Sequence, residues 1–411
     1  MNTKMPFRLA LLFLLTAVNL AFTSQTTKLA EKALEAGDYA KAVELYTRLI
    51  EEKPSDRFYL SLGHAYYKLQ EFQRAIQAYS AAIDLQKDSP EGHSFRCLAS
   101  AQYSRQLYTD AMLSYHRAFV IEPVPSDNLW IARCFANVNQ WAQARAAVLK
   151  YLDHSPLDTA GLELLAHIHL NTSNADEAVT ILRQIVDSNP TSRHYLIGLA
   201  NAQTVTNRFD EAIDTLEYTL RTIAPDDLAA IQMLADLYMS QEMFAQATNV
   251  YRLVTTLKST PSQEDYYRLG YAAMRSNQAV TAQNAFLAAI KLSPNHYDSH
   301  LCLAQIALQQ FQFDKAHQHY LSAVSANPTS PEPHGFIADF QMRQKNYTLA
   351  AQYYAKALSL DRNQPESYYN CVLALLKTDQ YTRARDTLKK ALAEYPDHPG
   401  LNNLLDQLVA L

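Results

Sequence analysis

Histidine pairs are the first residues of this 411-residue chain that could do chemistry, and their spacing argues against it. His167 and His169 are two positions apart in a predicted helix, as are His317 and His319. Residues two apart do not share a helix face, so neither pair is expected to chelate one metal ion. The H-E-x-x-H, G-x-S-x-G, phosphate-loop and dinucleotide signatures are also missing from the sequence. We therefore predict no catalytic residues, no metal site and no cofactor.

Carboxylates and cysteines lead to the same interpretation. Asp176 with Glu177, and Asp226 with Asp227, stand at predicted helix starts, where negative charge complements the helix dipole. The four cysteines are few and widely spaced, and no C-x-x-C pair occurs among Cys97, Cys134, Cys302 and Cys371. Free, mostly buried thiols are the expected outcome, with a bridge between Cys97 and Cys134 left open.

Composition narrows the class of protein further. The formal net charge of -5 gives nucleic acid no general electrostatic reason to bind. Only 8 glycines occur, whereas average usage of about 7% would predict roughly three times as many. Because tight hairpins and phosphate-binding loops depend on glycine, this scarcity favours helices joined by short turns.

The N-terminus resembles an export signal. Lys4 and Arg8 precede an apolar run that begins at Leu9 and ends at Phe22. A basic start followed by a short apolar core is typical of a secretory signal peptide, here residues 1–23, with cleavage near Thr23 or Ser24. An uncleaved N-terminal anchor is the alternative, and it offers the only route to membrane attachment. In both cases we expect an exported protein of the periplasm or cell envelope, or a secreted one.

A repeat of 33 to 36 residues organises the rest of the chain. It is marked by the alanines Ala42, Ala75, Ala111, Ala144, Ala178, Ala212, Ala247, Ala282, Ala316, Ala350 and Ala384. Twelve residues before each alanine stands glycine or alanine, except for Val372 in the last copy. Two helices approach closely only where neither side chain intrudes, so the paired columns predict packed helix pairs.

This unit resembles the tetratricopeptide repeat (TPR). The best match is the segment with Tyr59, Gly63, Tyr66, Phe72, Ala75, Tyr79 and Ala82. The resemblance implies an all-α fold, a right-handed α-solenoid of about eleven repeats over residues 24–398. Residues 399–411 are predicted to form a capping helix, with an apolar stripe of Leu401, Leu404, Leu405 and Leu408.

The resemblance also implies where a partner would bind, because the first helix of each TPR lines a concave groove. The positions on that face are Arg57, His64, Tyr67, Lys68, Arg96, Tyr103, Trp130 and Arg133, and further along Tyr267, Arg268, Tyr271 and Arg275. Aromatic rings interleaved with cations would suit an acidic or C-terminal peptide segment. A merely solvated helix face remains the alternative. The chaperone-tail clamp and the asparagine ladder of other TPR proteins do not carry over.

The middle repeats depart from the family pattern. Seven residues after the repeat alanine the family favours a small side chain, but Tyr151, Ile185, Thr219 and Val254 are large or branched, as is Leu49 in the first repeat. We expect looser packing and faster hydrogen exchange between about residues 145 and 260.

Taken together, these features favour a non-catalytic scaffold that binds other proteins or peptide segments outside the cytoplasm. Supporting the assembly of an envelope complex is the preferred role. Two alternatives stay open: an accessory subunit that delivers substrate to a separately encoded enzyme, and a homo-oligomeric scaffold.

Overall fold

A computed structural model describes residues 24–87 and 89–409, and every regular element in that part of the chain is an α-helix. The predicted signal peptide lies outside the described residues. Helix α1 covers residues 24–35. The others are α2 Tyr39–Glu52, α3 Asp56–Lys68, α4 Phe72–Leu85, α5 Gly92–Ser104, α6 Tyr108–Ile121, α7 Pro125–Asn137, α8 Trp141–Leu152, α9 Thr159–Leu170, α10 Ala175–Ser188, α11 Arg193–Val205, α12 Phe209–Thr222, α13 Leu228–Ser240, α14 Phe244–Leu257, α15 Gln263–Arg275, α16 Ala279–Leu292, α17 Tyr297–Gln309, α18 Phe313–Ala326, α19 Pro331–Arg343, α20 Tyr347–Leu360, α21 Pro365–Leu376, α22 Tyr381–Glu394 and α23 Pro399–Val409. None of these helices is long and apolar enough to span a membrane.

The helices form two compact units, the first ending at Arg208 and the second beginning at Phe209. In each unit a helix packs mainly against its neighbours in the chain, as α3 does on α4 and α15 on α16. First helices also contact the next first helix, as α3 contacts α5. This is the arrangement of stacked helix pairs that the repeat predicts, and the all-α repeat fold is confirmed.

The small-residue columns lie where the paired helices touch. The repeat alanines are at most 1% exposed. Gly63 shows how close the approach is, because a Cβ built there would lie 2.5 Å from the Tyr79 ring. At Gly270 the corresponding distance to Phe286 is 2.7 Å. Both distances are too short for a methyl group, so glycine is needed at these two contacts unless the ring moves.

The turn inside nearly every helix pair uses one left-handed residue. Nine non-glycine residues of the described ranges have φ between 55° and 63°: Gln70, Gln106, Asn139, Asn207, Glu242, Asn277, Phe311, Lys345 and Asp379. The turn is closed by a hydrogen bond such as that from the Glu71 amide to the Tyr66 carbonyl, 2.9 Å. A side chain makes this conformation costly, and among the left-handed residues of the described turns only Gly37 lacks one.

The bulky middle residues are buried. Ile185, Thr219 and Val254 are at most 2% exposed. Tyr151 is half-buried, and the residue that faces it is a glycine, Gly161 of α9. A Cβ at Gly161 would come within 2.9 Å of the tyrosine ring. The large side chain of Tyr151 on α8 is thus matched by the absence of a side chain at Gly161 on α9. These side chains give no support to looser packing, and the hydrogen-exchange expectation remains a prediction.

Helix α23 covers the end of the second unit. It packs on α21 and α22, and Leu401, Leu404 and Leu408 are at most 3% exposed within the last core cluster. Leu405, predicted to share that stripe, is 40% exposed. The buried stripe therefore consists of three leucines. They cover the apolar surface of the last helix pair, which would otherwise face water.

Candidate protein-binding face

A ladder of tyrosines links the first helices of repeats two to four. The Tyr67 hydroxyl lies 3.2 Å from the Ser104 hydroxyl, which joins α3 to α5. One repeat later, the Asn137 side-chain amide donates to the Tyr103 hydroxyl at 3.0 Å, which joins α5 to α7. The two bonds connect equivalent positions of successive repeats. The tyrosine column chosen from the sequence therefore runs across neighbouring first helices. We call the predicted site residues of these three helices the first patch: Arg57, His64, Tyr67, Lys68, Arg96, Tyr103, Trp130 and Arg133.

Trp130 is the centre of an aromatic group in the first patch. Its ring stacks on Tyr115 with a centroid distance of 5.8 Å and an interplanar angle of 9°. It meets the edge of Tyr103 at 5.3 Å. The Arg133 guanidinium lies 4.6 Å from the Trp130 ring centroid, a cation–π distance. Trp130 is only half-buried, so these contacts fix its orientation and leave part of the ring open.

Arg96 is not a free cation of this face. Its Nε is 3.0 Å from Asp127 Oδ1, its Nη1 is 2.8 Å from Glu122 Oε2, and it also bonds the Glu122 carbonyl. The Asp127 side chain is 2% exposed. Burial is the main cause that raises the pKa of Asp127, and Arg96 opposes it. The hydrogen bond that Arg96 donates to Asp127 is the main cause that raises the pKa of Arg96, so the guanidinium stays charged and holds α5 to α7.

The other cations of the first patch differ in their freedom. Arg57 pairs with Glu31 at 2.8 Å, but the arginine side chain is 75% exposed, so the pair is weak. Lys68 is exposed and makes no ion pair with any residue that the structure describes. The usable positive charge of the first patch therefore lies at Arg57, Lys68 and Arg133.

Three side chains on two helices of this patch, α3 and α5, lie close together. His64 of α3, and His93 and Cys97 of α5, place one ligand atom each within 4.8 Å of one another. The Cys97 sulfur is 3.7 Å from His64 Nε2 and 3.5 Å from His93 Nε2. Burial is the main cause that lowers the pKa of His64, and burial raises the pKa of the Cys97 thiol to about 11.

The second set of predicted site residues lies on α15 of the second unit, and we call it the second patch: Tyr267, Arg268, Tyr271 and Arg275. Arg268 lies 2.9 Å from both Asp236 and Glu264. Arg275 donates to the Tyr271 hydroxyl at 3.3 Å, and its guanidinium lies 4.2 Å from the Phe244 ring centroid.

Tyr267 extends the second patch along the helix stack. Its ring lies 5.9 Å from Phe286 and 5.4 Å from His296. The second patch therefore repeats the mixture of tyrosine and arginine found in the first, but without a tryptophan.

A cavity elsewhere in the second unit is too small to suggest an enzyme site. It has about 110 Å³ and lies among α17, α18 and α19, between His317, Tyr320 and Asp339. Within the described residues, no hydrogen bond is made by the Tyr320 hydroxyl or by His317 Nδ1. Pockets that bind drug-sized molecules measure about 300–1,000 Å³, so this cavity suits solvent better than a substrate.

Sequence comparison identifies the repeat independently. A tetratricopeptide-repeat model matches residues 27–90, 131–193, 163–227, 267–331 and 303–368, more than half of the chain. A second tetratricopeptide-repeat model matches residues 341–408. Tetratricopeptide repeats typically bind peptides or other proteins, and their fold is generally a non-catalytic interaction scaffold. The repeats support that general role for this chain.

Solved structures with a similar fold cover parts of the chain. A tetratricopeptide repeat protein from Parabacteroides merdae ATCC 43184 is 18% identical with a TM-score of 0.45, over 64% of this chain and 98% of that one. YrrB, described as a TPR protein with an unusual peptide-binding site, is 14% identical with a TM-score of 0.39, over 45% and 95%. MamA is 23% identical with a TM-score of 0.38, over 41% and 97%. The family assignment rests on the repeat models, since these scores are low.

Proposed function

We propose that this chain, which belongs to the tetratricopeptide-repeat family, is an exported scaffold that holds a segment of a partner protein on the first patch. The observation that carries the proposal is the partly exposed Trp130, held between Tyr103, Tyr115 and Arg133. Tryptophan and arginine are the residue types that most often dominate binding energy at protein interfaces. A preoriented ring also loses little conformational freedom when a partner binds.

The charges of the first patch define the partner segment. Arg57, Lys68 and Arg133 remain available, whereas Arg96 is committed to Asp127 and Glu122. The surface thus offers aromatic rings with three separate cations, not a dense basic cluster. A short segment with one or two carboxylates, or a free C-terminus, beside an apolar side chain fits this chemistry best.

Export from the cytoplasm and a place in an envelope assembly complete the proposed function. The basic start and apolar run at the N-terminus support export, and a scaffold in the periplasm or cell envelope would support the assembly of an envelope complex. N-terminal sequencing of the native protein tests this, with a first residue near Ser24 or Gln25 expected. A soluble cytoplasmic protein that retains Met1 would contradict it.

Peptide display tests the binding proposal without a known partner. Peptides selected on the immobilised chain should contain acidic and apolar residues. Trp130→Ala should weaken the best peptide by about 2 kcal/mol or more, roughly 30-fold in Kd. The measurement is Kd for each variant beside its circular dichroism melt, because Trp130 also packs on the core.

The chain supplies a matched control in its other tryptophan. Trp141 is likewise half-buried but starts α8, the second helix of the same pair, and meets the edge of His167 at 5.8 Å. Trp141→Ala should lower the melting temperature without changing peptide affinity. Equal losses of affinity in both variants would show that Trp130 acts only through stability and would overturn the proposed site.

A further inference from the structure

We propose that His64, His93 and Cys97 bind a transition-metal ion, with zinc as the first candidate. The three residues belong to two first helices in successive repeats, and the sequence signal for two of them is simple. His93 and Cys97 are four positions apart on α5, so they share one face of the helix. His64 of α3 meets them from the preceding repeat. The inference does not depend on the proposed partner-binding role.

The two nitrogen–sulfur distances fit a tetrahedral ion, and all three ligand atoms lie within 4.8 Å of one another. Zinc binds histidine nitrogen at about 2.0–2.1 Å and cysteine sulfur at about 2.3 Å, which places nitrogen and sulfur roughly 3.5 Å apart at the tetrahedral angle. The observed separations from the Cys97 sulfur are 3.7 Å to His64 and 3.5 Å to His93. Both are Nε2 atoms, so the two rings present the same edge to the sulfur. Their planes differ by only 23°.

The hydrogen bonding of His64 prepares it to be a ligand. Its Nδ1 lies 2.9 Å from the Leu60 carbonyl oxygen. A carbonyl can only accept, so Nδ1 carries the proton and the Nε2 lone pair points towards Cys97. Metal-bound histidines almost always donate their second ring nitrogen in this way, which fixes both tautomer and orientation. A contact with Tyr79, whose ring meets the His64 ring edge-on at 5.6 Å, adds further restraint.

The ligand chemistry selects the class of ion. Imidazole with thiolate suits zinc and copper, whereas calcium and magnesium prefer oxygen. Binding converts the Cys97 thiol to a thiolate and releases its proton to solvent. Three protein ligands leave a fourth position for water or for an outside group. Cys97 is buried and His93 is exposed, so the open side of the site is the side of His93.

Metal titration of the full chain tests the site. The reduced, chelator-stripped protein is titrated with zinc against a chromophoric chelator, and with cobalt(II) as a spectroscopic probe. We expect one tightly bound ion per chain and a thiolate-to-cobalt charge-transfer band. Cys97→Ser should abolish that band. His93→Ala removes an exposed side chain, so the fold should be kept. Zinc binding should weaken by about 10–100-fold or more, because changes to residues that only support a ligand already cost that much.

Two variants separate this site from other thiols and histidines. Cys134 is also a buried free cysteine, and His319 Nδ1 lies 3.2 Å from His300 Nδ1 in the second unit. Cys134→Ser and His319→Ala should bind zinc like the unaltered chain, and excess magnesium should not compete. Absence of zinc binding would overturn the proposal. Zinc binding unchanged by both Cys97→Ser and His93→Ala would also overturn it, since the three residues would then share only hydrogen bonds.

Discussion

Arg96 of the first patch and Arg268 of the second both lie on first helices and both form ion pairs, yet they differ in how easily a partner could bind them. The carboxylate of Asp127 that holds Arg96 is 2% exposed. The carboxylates of Asp236 and Glu264 that hold Arg268 are 49% and 51% exposed. A partner could take Arg268 from its half-solvated carboxylates at little cost. Taking Arg96 would leave a buried charge unpaired. The burial of the counter-ion, not the arginine itself, decides availability.

Removing each arginine should give the largest difference between the two patches. Arg96→Ala strands the buried Asp127 and should cost about 3–5 kcal/mol of local stability. Arg268→Ala should cost less than about 1 kcal/mol, because both of its partners can be hydrated. Hydrogen exchange resolved by helix measures both in the full chain, at α5 and α7 for the first variant and at α15 for the second. Equal losses of local stability in the two variants would show that burial of the counter-ion does not distinguish the two arginines.

Two glycines differ in how closely their surroundings pack, and replacing each with alanine tests that difference. Gly161→Ala would push a methyl group against Tyr151 and Leu152, and overpacking of this kind costs about 1–3 kcal/mol. Gly335→Ala, inside α19, meets nothing within 4 Å and should stabilise by up to about 1 kcal/mol through helix propensity. Thermal unfolding of the two variants decides between them. A stabilising Gly161→Ala would mean that Tyr151 moves easily and that the interface is loose after all.

The left-handed turns should behave alike in both units. Glycine in place of Gln70 or Lys345 should stabilise by about 1 kcal/mol each, because a side chain makes this conformation costly. Ser173 occupies the same place in the fifth repeat and does not have a positive φ. Ser173→Gly should therefore be neutral or destabilising. The free energy of local opening, measured by hydrogen exchange, is the readout.

Acid should change the contributions of two equivalent aspartates to folding stability in opposite directions. Asp127 and Asp265 both lie five residues before the small residue of their first helix. Burial outweighs Arg96 and raises the pKa of Asp127. For Asp265, Lys258 and Ser262 together outweigh burial and lower the pKa. Asp265 therefore stabilises above its unfolded pKa, and this stability is lost as pH falls through its folded value. The contribution of Asp127 has the other sign and is lost as pH rises through its folded value.

The measurement is hydrogen exchange of α15 and α7 over a pH range that runs from neutral to below the ordinary aspartate pKa of about 3.9. Asp265→Asn should remove part of the acid sensitivity of α15, whereas Asp127→Asn should not protect α7 from acid. Acid loss that disappears from α7 in Asp127→Asn would show that Arg96 dominates the pKa of Asp127 instead of burial.

The sequence predicted the fold because one physical requirement recurs in every repeat. Close helix contacts need small residues, and the Gly63 and Ala75 columns record that need. The tyrosine ladder was predictable in the same way, since Tyr67 and Tyr103 hold equivalent positions. The commitment of Arg96 was not, because its counter-ion Asp127 comes 31 residues later, in a column whose residue type varies from repeat to repeat. Only the packed structure shows that this carboxylate is buried.

The metal ligands were missed for a related reason. A search for histidine pairs within one helix rejects His167 with His169 and His317 with His319 by their spacing, but it does not join helices of successive repeats. His93 and Cys97 carried a usable signal at four residues apart. His64 could be added only once α3 and α5 were known to lie side by side. Sites built across a repeat interface need both the helix face and the repeat register.

The central claim is that a partner segment binds across the first helices of repeats two to four. Hydrogen exchange of the full chain, with and without a saturating peptide selected as described above, tests it most directly. We expect slower exchange in α3, α5 and α7 on peptide binding, and unchanged exchange in α15. Protection confined to α15, or to second helices such as α6 and α8, would contradict the claim.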